Sequence, residues 1–157
     1  MNYIKLLILV FLVLILAANP AKSATSLAPG DIAFIGINSD GNDEFVFLLL
    51  KDITAETSLY ITDKGWNDGS GFYTTSGDGI WQWSTAANLS AGQIVHIKTT
   101  NGGVTEPGSL AATPGSVSWV EQNSTVISYT GDQVFLYQGS HSSPTFVTGI
   151  HYNVEGG

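Results

Sequence analysis

Cysteine and arginine are both missing from this chain of 157 residues, and its single methionine is the first residue. Without cysteine there are no disulfides, no thiol chemistry, no Cys-zinc site and no lipidated cysteine anchor. Basic residues are scarce as well. From Ala24 onward only Lys51, Lys64 and Lys98 stand against thirteen carboxylates, a net charge of −10. That balance excludes nucleic acid as a partner, because neutralising phosphates takes Lys and Arg. Anionic membrane surfaces are disfavoured on the same ground, which leaves cations, proteins and neutral glycans.

Long apolar runs are also rare. The longest, LLILVFLVLILAA at 6–18, has 13 residues. It suits the apolar centre of a signal peptide and falls short of the ~20 residues a membrane span needs. Asn2, Tyr3, Ile4 and Lys5 precede it, and Ala21-Lys22-Ser23 follows as a small-x-small cleavage site. The sequence therefore predicts a signal peptide over 1–23 and a single domain over 24–157, with no membrane span in the mature chain. Export without cysteine points to a secreted or cell-surface protein of bacterial type.

After the leader no helical period is found. Short β-branched and aromatic runs alternate with Gly, Asn, Asp and Pro clusters, and all 18 glycines lie at or after residue 30. Strands are predicted over 31–38, 44–51, 58–62, 79–84, 93–98, 116–120, 126–129, 133–137 and 145–152. Eight or nine short strands in this length predict an all-β fold, an antiparallel β-sandwich. IAFIGI (32–37) and FVFLLL (45–50) are apolar on both faces, which predicts strands covered on both sides. QIVHIK (93–98) alternates, placing Val95 and Ile97 inward and Ile94, His96 and Lys98 outward. Residues 99–115 read as a long surface loop. Because Glu155-Gly156-Gly157 follows a predicted strand directly, a longer protein is expected to continue beyond it.

The most acidic stretch is NSDGNDEF (38–45). As a calcium loop of the helix-loop-helix kind it fails: Gly41 at the glycine position makes Gly36 the first ligand and Phe47 the last. As a hairpin it works, with Asp40-Gly41 as a two-residue turn between apolar runs. Two further loops, around Asp68 and Asp78, share its flavour. If the loops converge, Asp40, Asp43, Glu44, Asp68 and Asp78 are the candidate ligands for calcium, a hard cation that takes six to eight oxygens. No other cofactor is expected.

Four tryptophans are many for a chain this short, and Trp81 and Trp83, two apart, share one face of a strand. They read either as core or, with Trp66 and Tyr73, as a stacking platform for sugar rings. Catalysis has little to stand on. There is no G-x-S-x-G, H-E-x-x-H or Asp-Thr/Ser-Gly motif, and His96, His141 and His151 are widely spaced.

Taken in order, Asp43-Glu44-Phe45, Gly65-Trp66, Leu89-Ser90-Ala91-Gly92 and Thr130-Gly131-Asp132 resemble the landmarks of lamin-tail-like domains of bacterial secreted proteins. The likeness spans about residues 28–152. It departs from the family pattern at Val46 and Phe47, where a second acid is usual. The resemblance implies an immunoglobulin-like sandwich with an adhesion, assembly or protein-interaction role, no catalysis and no cofactor. The competing reading is a carbohydrate-binding module.

Overall fold

Apolar side chains at every second position give each strand one face to bury, and two such sheets can bury those faces against each other. The computed structural model describes residues 23–40, 42–73, 78–99, 110–121, 127–128 and 130–153, and the predicted signal peptide up to residue 22 lies outside them. The strands are β1 (Ile32–Asn38), β2 (Glu44–Leu49), β3 (Ser58–Thr62), β4 (Trp66–Asn67), β5 (Gly71–Phe72) and β6 (Ile80–Ser84). They continue with β7 (Ile94–Thr99), β8 (Leu110–Thr113), β9 (Ser116–Glu121), β10 (Gly131–Ser140) and β11 (Ser143–Asn153). A four-stranded sheet in the order β1-β2-β7-β8 packs on a five-stranded sheet in the order β11-β10-β3-β6-β9. All the pairings are antiparallel, and the fold is the expected all-β sandwich.

The core lies between the sheets. Phe45, Phe47 and Leu49 of β2 and Val95 and Ile97 of β7 face Leu59, Ile61, Trp81, Trp83, Val134 and Leu136. Phe47 meets Trp83 edge-on at 5.6 Å and Phe45 meets Trp81 at 5.8 Å, so two aromatic pairs tie one sheet to the other. Leu27, Ile53 and Leu89 close one end. There the Gln138 side chain accepts from Leu27 N–H and donates to the carbonyls of Thr25 and Ser58.

The sheet edges meet. Gly30 N–H donates to the Val147 carbonyl beside β1 and β11. At the other side β8 and β9, edge strands of opposite sheets, are consecutive in the chain through Pro114-Gly115. Gly115 has φ +95°, and a Cβ there would lie 2.5 Å from both Ser84 O and Trp83 Nε1. Gly115→Ala is expected to destabilise by at least the ~1–3 kcal/mol typical of overpacking. A urea titration at constant m-value would measure it.

Four expectations need correction. The apolar runs at 32–37 and 45–50 are covered on one side only: Val46 and Leu48 are half-buried, while Ile35 and Leu50 are about half exposed at 50% and 51%. A two-layer sandwich leaves each sheet an outer face, which a run of apolar letters cannot reveal. The β1–β2 connection is five residues, because Asn38 pairs with Glu44, so it is not a two-residue turn; Gly41 itself lies outside the described residues. Part of the expected 99–115 loop is strand β8, residues 100–109 being outside the described set. Ile127 and Ser128 belong to no strand, and Val126 and Tyr129 lie outside the described residues.

Candidate functional site

The five candidate calcium ligands point to different places. Asp40 is exposed in the β1–β2 connection, where its N–H donates to Asn38 Oδ1. Glu44 faces outward and holds Lys98 Nζ at 3.0 Å and His96 Nε2 at 2.8 Å. Hydrogen bonds from Lys98 and then His96 keep its carboxyl below the usual range. Asp68 accepts from Trp66 Nε1 at 2.8 Å in the β4–β5 turn. Asp43 and Asp78 lie nearer the inside of one sandwich end. Among the described residues no group of three or more His, Asp or Glu is placed to hold a metal ion.

That sandwich end also holds Asp63, which the sequence reading passed over, and Asp132, which it took only as part of a motif. Asp63 follows β3 on the face shared by Leu59 and Ile61, so the strand's alternation carries it inward. Gly79 N–H donates to its Oδ1 at 2.8 Å, while its buried Oδ2 has no hydrogen-bond partner among the described residues. Burial, with Asp78 and Asp132 nearby, pushes its pKa up to about 8 against the opposing Gly79 hydrogen bond. Asp43, buried before β2, accepts from Ile127 N–H at 2.7 Å. Burial and the neighbouring Asp132 raise it to about 6, the hydrogen bond from Ile127 opposing them. Asp132, at the start of β10, accepts from Ser128 N–H and Gln133 N–H. Asp43 and Asp63 are enclosed, which separates them from a pair of carboxylates working across an open cleft.

The tryptophans divide. Trp81 and Trp83 are core residues, 2% and 0% exposed, and offer no surface for a sugar. Trp66 and Tyr73 belong to a feature the sequence reading missed. β4 and β5 pair as a short ribbon, and Trp66 and Phe72 fold down onto the outer face of the five-stranded sheet. Trp66 lies 4.9 Å from Phe72 and 5.1 Å from Phe146 across ring centroids, and Phe72 lies 5.2 Å from Tyr137. The ribbon buries Tyr137, whose hydroxyl hydrogen-bonds His141 Nδ1 at 2.6 Å and whose pKa burial raises. Beside the ribbon is an open cleft of about 660 Å³, lined among others by Lys64, Trp66, Asp68, Tyr73, Glu121 and His141.

The outer face of the four-stranded sheet is the second exposed feature. Cross-strand pairs Leu48–Ile94, Val46–His96 and Glu44–Lys98 run down its middle, and Ile35 rises from a bulge in β1. Ile94 is 51% exposed. Ile94, His96 and Lys98 point outward as the alternation of QIVHIK predicts, with Val95 and Ile97 buried. Comparison with family models, with curated proteins and with solved structures finds no match.

Proposed function

We propose that this chain is a non-catalytic assembly module of an exported bacterial surface protein, of the lamin-tail-like, immunoglobulin-type kind, and that it pairs with a second copy of itself. The pairing surface is the outer face of β1, β2, β7 and β8. What supports this is the character of that face on a strongly acidic chain. Ile35, Val46, Leu48 and Ile94 form an apolar centre, and Glu44 is balanced by Lys98 and His96 beside it. Of the three lysines after residue 24, Lys98 lies on this face and Lys51 at its β1–β2 corner, bonded to Asp31 at 3.0 Å; Lys64 is buried elsewhere. Chains that repel one another through most of their surface approach best where charge cancels. A two-fold arrangement lets Glu44 of one copy meet Lys98 or His96 of the other, so the same patch supplies both halves.

The motif order described above supports the family reading, and residues 1–18 support export. The absence of a catalytic motif and the enclosure of the perturbed acids support a binding role over an enzymatic one.

Sedimentation equilibrium on the purified protein tests the pairing. A concentration-dependent dimer is expected, lost in Ile94→Glu while the unfolding free energy of the monomer stays within the small range of surface substitutions, about ±0.5 kcal/mol. A monomer at the highest soluble concentration, or a dimer indifferent to Ile94→Glu, would overturn it.

A further inference from the structure

The cleft beside the β4–β5 ribbon lies on the opposite sheet from the pairing surface, and its chemistry points to a different kind of ligand. We infer that it binds a neutral saccharide. Its volume, about 660 Å³, is in the range of small-ligand sites, roughly 300–1,000 Å³. One wall is aromatic and held in place. The Trp66 indole is wedged between Phe72 and Phe146, and its N–H is fixed on Asp68 Oδ1 at 2.8 Å. Tyr73 is 48% exposed and lies against Gly65, where a Cβ would come within 2.6 Å of its ring. Its N–H donates to Gly65 O at 2.9 Å, so the backbone and the missing side chain together seat the ring at the cleft wall. An exposed ring fixed in this way offers the CH face of a sugar a stacking surface without ordering cost on binding.

The polar wall selects the class. Lys64, its side chain only 6% exposed, is paired with Glu121 at 2.8 Å, so its charge is already neutralised. Asp68 and the half-exposed Glu121 add acceptors, and the Ser142 and Ser143 hydroxyls can give or take. Among the described lining residues Lys64 and Glu121 cancel and His141 is hydrogen-bonded to Tyr137, so an anionic ligand would meet two carboxylates and a net negative charge. A neutral ring whose hydroxyls donate to those carboxylates meets complementary groups on every side.

Amide chemical-shift titration of the purified protein decides the matter. The probes are neutral disaccharides built from glucose, galactose, mannose and N-acetylglucosamine, with a uronic-acid disaccharide as the anionic control. At least one neutral disaccharide is expected to shift the Gly69–Tyr73 amides saturably. Tyr73→Ala and Asp68→Asn should each weaken it tenfold or more while the melting temperature holds, and Ile94→Glu should leave it intact. The proposal is lost if no neutral disaccharide binds, if the uronic acid binds better, or if neither Tyr73→Ala nor Asp68→Asn weakens binding. Loss of sugar binding with an intact dimer would sink this inference alone, and the reverse result would sink the pairing alone.

Discussion

The protein is expected to become less stable as pH rises from about 4 to about 8, the opposite of what its excess of carboxylates suggests at first sight. Asp43 and Asp63 carry the effect. Each has a folded-state pKa above its unfolded value of 3.8, at about 6 and about 8 respectively. Well below 3.8 both states hold the proton and the two groups cost nothing. Above it the unfolded chain gives up protons that the folded chain retains, and stability declines until the folded groups ionise too. The decline runs to about pH 6 for Asp43 and about pH 8 for Asp63, with a limiting slope of ~1.4 kcal/mol per pH unit from each group. Glu44 and Asp31 act the other way. The Lys98 and His96 hydrogen bonds to Glu44, and those from Ala28 N–H and Lys51 to Asp31, lower their pKa values, so their contribution is lost only in acid. Stability should therefore peak near pH 4–5. Asp63→Asn keeps an acceptor for Gly79 N–H and removes the buried charge. It should flatten the curve between pH 6 and 8 and raise stability at pH 8. Urea midpoints across that range check it; a midpoint that is constant or rises from pH 5 to 8 in the parent chain would contradict the account.

Trp83→Ala is expected to be the most damaging single substitution in the core, at about 3–5 kcal/mol. That is a large share of the roughly 5–15 kcal/mol by which a domain is ordinarily stable. Trp83 is fully buried, its ring meets Phe47 of the opposite sheet, and its N–H donates to Pro114 O at 2.9 Å across the β6–β9 seam. Trp81 is as deep, but its indole N–H is unpartnered among the described residues. The two Trp→Phe variants should therefore differ. Trp83→Phe strands the Pro114 carbonyl, whereas Trp81→Phe removes a donor that has no partner among the described residues. Trp83→Phe should cost more by about 1–2 kcal/mol, measured by urea unfolding of both variants in one buffer. Equal losses would mean that ring volume alone governs both sites.

Much of the sandwich was legible because alternation is local. QIVHIK states which of its side chains face the core, and the structure follows it residue by residue. Trp81 and Trp83 were legible as sharing a face, but whether that face was core or surface depended on Phe45 and Phe47, more than thirty positions away. The β4–β5 ribbon was not legible, since strands of two residues have no period, and Trp66 was read without the Phe72 and Phe146 that hold it. β8 was hidden for a related reason: in Leu-Ala-Ala-Thr only Thr113 carries the β-branched or aromatic weight that marks a strand. The meeting of Asp43 with Asp63 and Asp132 was not legible, because the three come from separate segments. Only the inward phase of Ile61 and then Asp63 hinted at one of them.

The meeting of β1 with β11, and of β8 with β9, bears on how such a chain can behave at high concentration. A free sheet edge invites another edge, and that pairing repeats without end because each added chain brings a new one. Here the outermost strands of the two layers shelter one another, so open-ended growth into fibres has little to start from. Contact is left to the flat outer faces, and a face that joins its own copy is used up when the pair closes. Assembly of this chain should thus stop at a counted number of subunits.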